Sequence, residues 1–106
     1  MVLDSSNMTA TLEDNDALMI KFFAPWCGNC QRLAPKYAKA ATELAVDGIR
    51  LAKVNCDENE LLCTQDPWKI EAYPTLFLHR KGKATEYDNG TEKKAIVEFM
   101  REVTQP

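Results

Sequence analysis

An apolar run, Leu18-Met19-Ile20-Lys21-Phe22-Phe23, leads directly into Ala24-Pro25-Trp26-Cys27-Gly28-Asn29-Cys30-Gln31-Arg32-Leu33, and a long Ala-rich segment follows. The first stretch reads as a strand buried on both faces and the last as an amphipathic helix. Cys27 and Cys30 therefore fall at a strand-to-helix junction. A thiol in a first helical turn meets unpaired backbone N–H groups and the positive end of the helix dipole. Both favour the thiolate, which is the nucleophile. The i, i+3 spacing puts the two sulfurs on one helix face, within bridging reach. Cys27 is expected to be the exposed attacking sulfur, and Cys30, one turn in, the buried resolving one.

A strand apolar on both faces needs helices above and below it, and the rest of the chain supplies them. Val2-Leu3 opens a short edge strand, and Ser6 or Asn7 caps a short helix over 8–13. The helix after Cys27 runs over 27–46, with Leu33, Ala34, Tyr37, Ala38, Ala41, Leu44 and Ala45 as its apolar stripe. Pro35 should kink it, and Asp47-Gly48 ends it. Residues 49–55 form a second buried strand and 60–65 a short helix, before Asp66-Pro67 breaks the chain. Residues 75–79 and 84–87 form a hairpin around Arg80-Lys81-Gly82-Lys83. A last helix from Thr91 turns Ala95, Ile96, Phe99, Met100 and Val103 inward. The order β-α-β-α-β-α-β-β-α predicts an α/β domain with a central mixed β-sheet flanked by helices on both faces.

Composition sets the remaining bounds. A chain of 106 residues suits one domain, and 45% hydrophobic with 27% charged residues suits a packed core. The net charge of −3 includes no basic block, which argues against a nucleic-acid partner. No apolar run reaches the ~18 residues of a membrane helix. The four cysteines make two pairs, Cys27/Cys30 and Cys56/Cys63. A second pair in a domain large enough to fold without one points to an oxidising compartment. Asn7-Met8-Thr9 and Asn89-Gly90-Thr91 match the glycosylation sequon, a triplet that also arises by chance. The first residues do not read as a signal peptide, nor the last as a retention signal. Residues 1–106 are expected to be one domain of a longer protein.

The order of elements, with Trp26-Cys27-Gly28-Asn29-Cys30 after the second strand and Tyr73-Pro74-Thr75 before the fourth, resembles the thioredoxin fold. Phe22-Phe23-Ala24-Pro25-Trp26-Cys27-Gly28, Leu33-Ala34-Pro35-Lys36-Tyr37, Leu51-Ala52-Lys53-Val54 and Tyr73-Pro74-Thr75-Leu76 resemble a catalytic domain of the protein disulfide isomerase family. The resemblance implies that Cys27 forms the mixed disulfide with substrate and that Cys30 resolves it. Trp26 packs beside the sulfurs. A cis Pro74 keeps the Tyr73 backbone free to pair with an extended client. The segment from Cys56 to Cys63 resembles fungal disulfide isomerases, which implies a structural disulfide there and residence in the lumen of the endoplasmic reticulum. Reduced thiols or a zinc site are the other readings of that pair, although the spacing is not a usual zinc knuckle. The implied partners are unfolded or misoxidised cysteine-containing proteins and a thiol oxidase or glutathione, with no cofactor and no metal.

Three positions depart from the family pattern. Asn29 stands where a His cation usually stabilises the outer thiolate, so the Cys27 thiol should be less acidic and the disulfide less oxidising. Lys21 stands where the family buries a Glu that relays the inner cysteine's proton, and Lys53 matches a lysine that pairs with that acid. Lys21 either runs its methylenes out to water or stays buried with a lowered pKa, able to act as a base toward Cys30. Thr91 stands near a family Arg, and Lys93 or Lys94 either replaces it or simply begins a solvated helix. His79, the only histidine, is expected at the surface. A thioredoxin-like reductant and a client-binding module with weak exchange remain the rival functions.

Overall fold

Strand β1 (Ala17–Phe23) has a strand on each side and helices on each face, so its five inner residues are all buried. This is seen in a computed structural model that describes residues 1–105; Pro106, the last residue of the expected domain, lies outside the described residues. β1 runs parallel to β2 (Leu51–Asn55), from Met19 opposite Leu51 to Phe23 opposite Asn55. On its other side it is antiparallel to β3 (Thr75–Arg80), which pairs antiparallel with β4 (Lys83–Tyr87), giving the order β2-β1-β3-β4. Lys81 at φ 50° and Gly82 at φ 82° make the tight turn between β3 and β4, whose left-handed backbone matches the strand twist. The expected edge strand at Val2-Leu3 is reduced to one parallel bridge between Val2 and Lys53 on the outer edge of β2.

Alternation along β1 sends Leu18, Ile20 and Phe22 to one face and Met19, Lys21 and Phe23 to the other. The first face packs under α1 (Met8–Asp14) and α3 (Glu60–Thr64), with Leu3, Val54, Trp68 and Phe77 completing the cluster. Phe22 is the hub of this side, its ring 5.1 Å from Trp68 and 5.9 Å from Phe77. The second face packs under α2 (Gly28–Ala45) and α4 (Lys93–Val103), where Met19, Leu33, Tyr37, Leu44, Ile96 and Met100 meet.

The helical stripes differ in detail from those expected. α2 buries Cys30, Leu33, Tyr37, Ala40 and Leu44, while Ala34, Ala38 and Ala45 face solvent. Alanine is frequent on both faces of a helix, so it marks no face by itself. α2 stays a single helix through Pro35, whose ring lies on its exposed side. α4 begins two residues later than expected and also buries Val97.

Replacing Phe22 by Ala removes a fully buried ring from the α1/α3 face. The expected loss is about 3–5 kcal/mol in urea unfolding.

Candidate active site

The strand delivers Cys27 to the position just before α2, as its N-cap residue, in extended backbone at φ −81° and ψ 120°. Its sulfur there accepts the Cys30 backbone N–H at 3.2 Å, doing what a Ser or Asp side chain does at an ordinary helix start. The Cys27 thiol in turn donates to the Tyr73 carbonyl at 3.5 Å. Tyr73 and Pro74 are joined by a cis peptide bond. The loop before β3 thus meets the sulfur with a backbone acceptor.

Both thiols are free. Cys27 is 9% exposed and Cys30 4%, packed with Ala24 and the half-buried Phe23 and Tyr73. The outer sulfur is therefore less open than its place at the helix tip leads one to expect. Trp26 also differs from expectation. Its ring stands out into solvent at 66% exposure, with Nε1 donating to Asp57 Oδ1 at 3.0 Å and the ring edge-on to Tyr73, centroids 5.8 Å apart. Nothing in the sequence ties Asp57 to Trp26, 31 residues away.

The two thiols diverge in acidity. The hydrogen bond from the Cys30 thiol lowers the Cys27 pKa, helped by the backbone N–H groups of Cys30 and Asn29 and by the charge of Arg32. Burial pushes Cys30 up to about 11, and its hydrogen bond to Cys27 acts in the same direction. Cys27 is therefore the more acidic of the two thiols, and Cys30 is the one that holds its proton.

Lys21 does not reach water. It is 4% exposed, on the α2 side of β1, and its ammonium lies 4.8 Å from the Tyr37 ring centroid and 5.2 Å from that of Phe23. Tyr37 is pinned above it by donating to the Ala52 carbonyl at 2.8 Å. Among the described residues no carboxylate pairs with Lys21. Burial lowers its pKa, and Lys53, its neighbour in register on β2, lowers it further, while a Cys30 thiolate acts to raise it. Lys53 itself is exposed.

The remaining candidates fall into place around this centre. Asn29 is exposed, and its amide oxygen accepts from Arg32 Nη2 instead of facing a sulfur. Gly28 is the first residue of α2. Cys56 and Cys63 are bonded to each other, with Cα atoms 5.8 Å apart. A bonded pair offers no thiolate to a metal. The Cys56 N–H donates to the Phe23 carbonyl at 2.8 Å, which ties the bridge to the end of β1. Lys93 pairs with Glu43 at 3.0 Å and Lys94 with Glu98 at 4.0 Å, so both are engaged along the helical surface. His79 is half-buried, not at the surface as expected. It lies beside Trp68 with an unpartnered Nδ1, and burial lowers its pKa. A cavity of about 820 Å³, lined in part by Asn15, Ile49, Lys81 and Arg101, contains neither thiol.

Four strands in the order β2-β1-β3-β4, two helical layers and a dithiol capping α2 against a cis-proline loop define a thioredoxin-fold dithiol domain. The family described as Thioredoxin matches residues 1–102. Protein disulfide-isomerase A4 of Bos taurus is 41% identical over 108 residues, covering all of this chain and 16% of that protein. Protein disulfide isomerase-like 1-4 of Arabidopsis thaliana is 39% identical over 107 residues, covering all of this chain and 17% of that protein. The solution structure of the first thioredoxin domain of mouse Protein disulfide-isomerase A4 superposes with a TM-score of 0.88 at 34% identity, covering 99% of this chain and 75% of that one. The chain belongs to the thioredoxin family, and its thioredoxin domain is of the protein disulfide isomerase type. It spans about a sixth of the length of these two curated relatives.

Lys21 generates a prediction about stability. Its folded pKa lies below its ordinary 10.5, so the folded state binds fewer protons than the unfolded state between those two values. Stability from this group therefore rises with pH across that window. Lys21→Met removes a buried, unpaired ammonium, so at pH 7 it should be more stable by about 1 kcal/mol. Thermal melts should show that advantage shrinking as the pH approaches 10.

Proposed function

We propose that this chain is a domain for thiol–disulfide exchange on protein clients, forming and rearranging disulfides through Cys27 and Cys30. The observation that carries this reading is the sulfur of Cys27. It caps α2, is made acidic there, and lies 3.5 Å from the Tyr73 carbonyl. That carbonyl and its neighbours are the backbone groups an extended client would pair with.

In oxidation, a client thiolate attacks Cys27 of the Cys27–Cys30 disulfide, and Cys30 leaves and takes up a proton. A second client thiolate then attacks the client sulfur of the mixed disulfide and expels the Cys27 thiolate. The client gains a disulfide and the domain gains two electrons. In rearrangement, the Cys27 thiolate attacks a wrong client disulfide and is later expelled by another client thiol, with no net electron transfer. If the client stalls, Cys30 attacks the mixed disulfide and frees it. Cys30 must lose its proton to do so, and its burial opposes that loss. Lys21 in its neutral form is the base on that side of the sheet.

We assign the domain to a longer chain in the lumen of the endoplasmic reticulum, re-oxidised by a thiol oxidase or by oxidised glutathione. The Cys56–Cys63 disulfide supports an oxidising compartment, and the short share of the relatives spanned supports a longer chain. The uncharged Asn29 favours one alternative, a thioredoxin-like reductant.

Two measurements separate these readings. With Asn29 in place of a cation, the reduction potential in glutathione buffers should fall between about −180 mV, the isomerase value, and about −270 mV, the thioredoxin value. A potential near the lower limit favours the reductant, and one above about −170 mV contradicts the argument from Asn29. Reactivation of a scrambled client should be lost in Cys27→Ser, while Cys30→Ser should accumulate a mixed disulfide on Cys27. Client binding with no reactivation by the unaltered chain would point to a binding module instead.

A further inference from the structure

Asn29 carries no charge, yet the dithiol turn does not lack a cation. Arg32 extends back along α2 toward its start, the direction in which helical side chains lean. Its Nη2 donates to Asn29 Oδ1. Its guanidinium lies across Gly28, where a Cβ would meet Nη1 at 3.7 Å and Nη2 at 4.0 Å. Among the described residues Arg32 forms no salt bridge. A guanidinium is thus held, unneutralised, over the backbone between Cys27 and Asn29.

That position is unfavourable for a cation in isolation, because it faces the positive end of the helix dipole. It becomes favourable when the capping sulfur is an anion. We propose that Asn29 and Arg32 act as one unit, in which Asn29 positions the Arg32 guanidinium and that charge stabilises the Cys27 thiolate. Asn29 is then a positioning residue acting through Arg32, and the missing cation between the cysteines is supplied from one turn further along the helix. Forming the Cys27–Cys30 disulfide removes the anion and leaves the cation opposed to the dipole. The pair therefore favours the reduced state and moves the potential toward the isomerase end of the range expected with Asn29. This rests on Cys27 as the attacking thiol.

The groups facing Cys27 are the Cys30 thiol and N–H and the Asn29 N–H on α2, the Tyr73 carbonyl from the loop before β3, and Arg32. Lys21 on β1 acts on Cys30. Of the two side-chain cations, Arg32 is the exposed one. Salt should therefore screen its effect and leave the backbone contribution in place.

The test is an ultraviolet titration of the Cys27 thiolate in a Cys30→Ser background at low salt, with no client present. Arg32→Gln should reduce the ratio of thiolate to thiol at a fixed pH about two- to fivefold, the range of one charge at a helix terminus. Asn29→Ala should lose part of the same factor, the double variant no more than Arg32→Gln alone, and Arg32→Lys should restore part of it. The difference between Arg32→Gln and the parent should vanish in about 1 M salt. An unchanged titration in Arg32→Gln overturns the proposal, as do losses from the two single variants that multiply in full. Because no client takes part, that failure would leave the exchange reading standing, and a failure of client reactivation would leave this result standing.

Discussion

The hydrogen bond from the Cys30 N–H to the Cys27 sulfur, 3.2 Å long, organises the whole domain. It exists because β1 ends at Phe23, a short turn ahead of α2, and the chain passes from extended to helical backbone at Cys27 itself. A β1 buried on both faces makes that junction rigid, because neither the strand nor the helix can shift without opening a packed layer. The sulfur is consequently the cap of the helix and, in the proposed exchange, its reactive group. Stabilising the thiolate and stabilising the helix start are one interaction.

Two thiols a single turn apart therefore occupy different chemical environments. Cys27 receives backbone donors and meets the Tyr73 carbonyl, whereas Cys30 lies deeper in the packed layer and holds its proton more tightly. In the proposed exchange this asymmetry sets a direction, with the outer sulfur attacking and leaving and the inner one waiting. Lys21 sits beneath this arrangement with its ammonium against two aromatic faces. Cation–π contact offsets part of the desolvation cost of such a group, but burial still dominates its acidity.

Much of this was legible in the sequence, and the reasons are physical. The run from Leu18 to Phe23 has no exposed face and so announces a central strand, and the change to helical period after Cys27 marks the junction. The doubly wound layers follow from that order. The parts that were hidden depend on side-chain direction. Nothing in the period of α2 distinguishes Ala34 and Ala38, which face water, from Ala40, which does not. Trp26 looked like a shield for the sulfurs, but its indole N–H needs an acceptor and finds Asp57, which draws the ring outward. Methylenes long enough to carry Lys21 to water were readable, but the Tyr37 ring that lies over its ammonium was not. Arg32 was legible only as one charge on a helix face until its contact with Asn29 was seen.

This junction makes Cys27 the more acidic thiol and Cys30 the less acidic one. The direct measurement is the pH dependence of alkylation of the reduced protein, with Cys27 and Cys30 resolved by peptide mass spectrometry. The account predicts that Cys27 is modified with a midpoint below the free-cysteine value of about 8.5, and that Cys30 stays protected well above it. Equal midpoints for the two thiols, or earlier modification of Cys30, would contradict it.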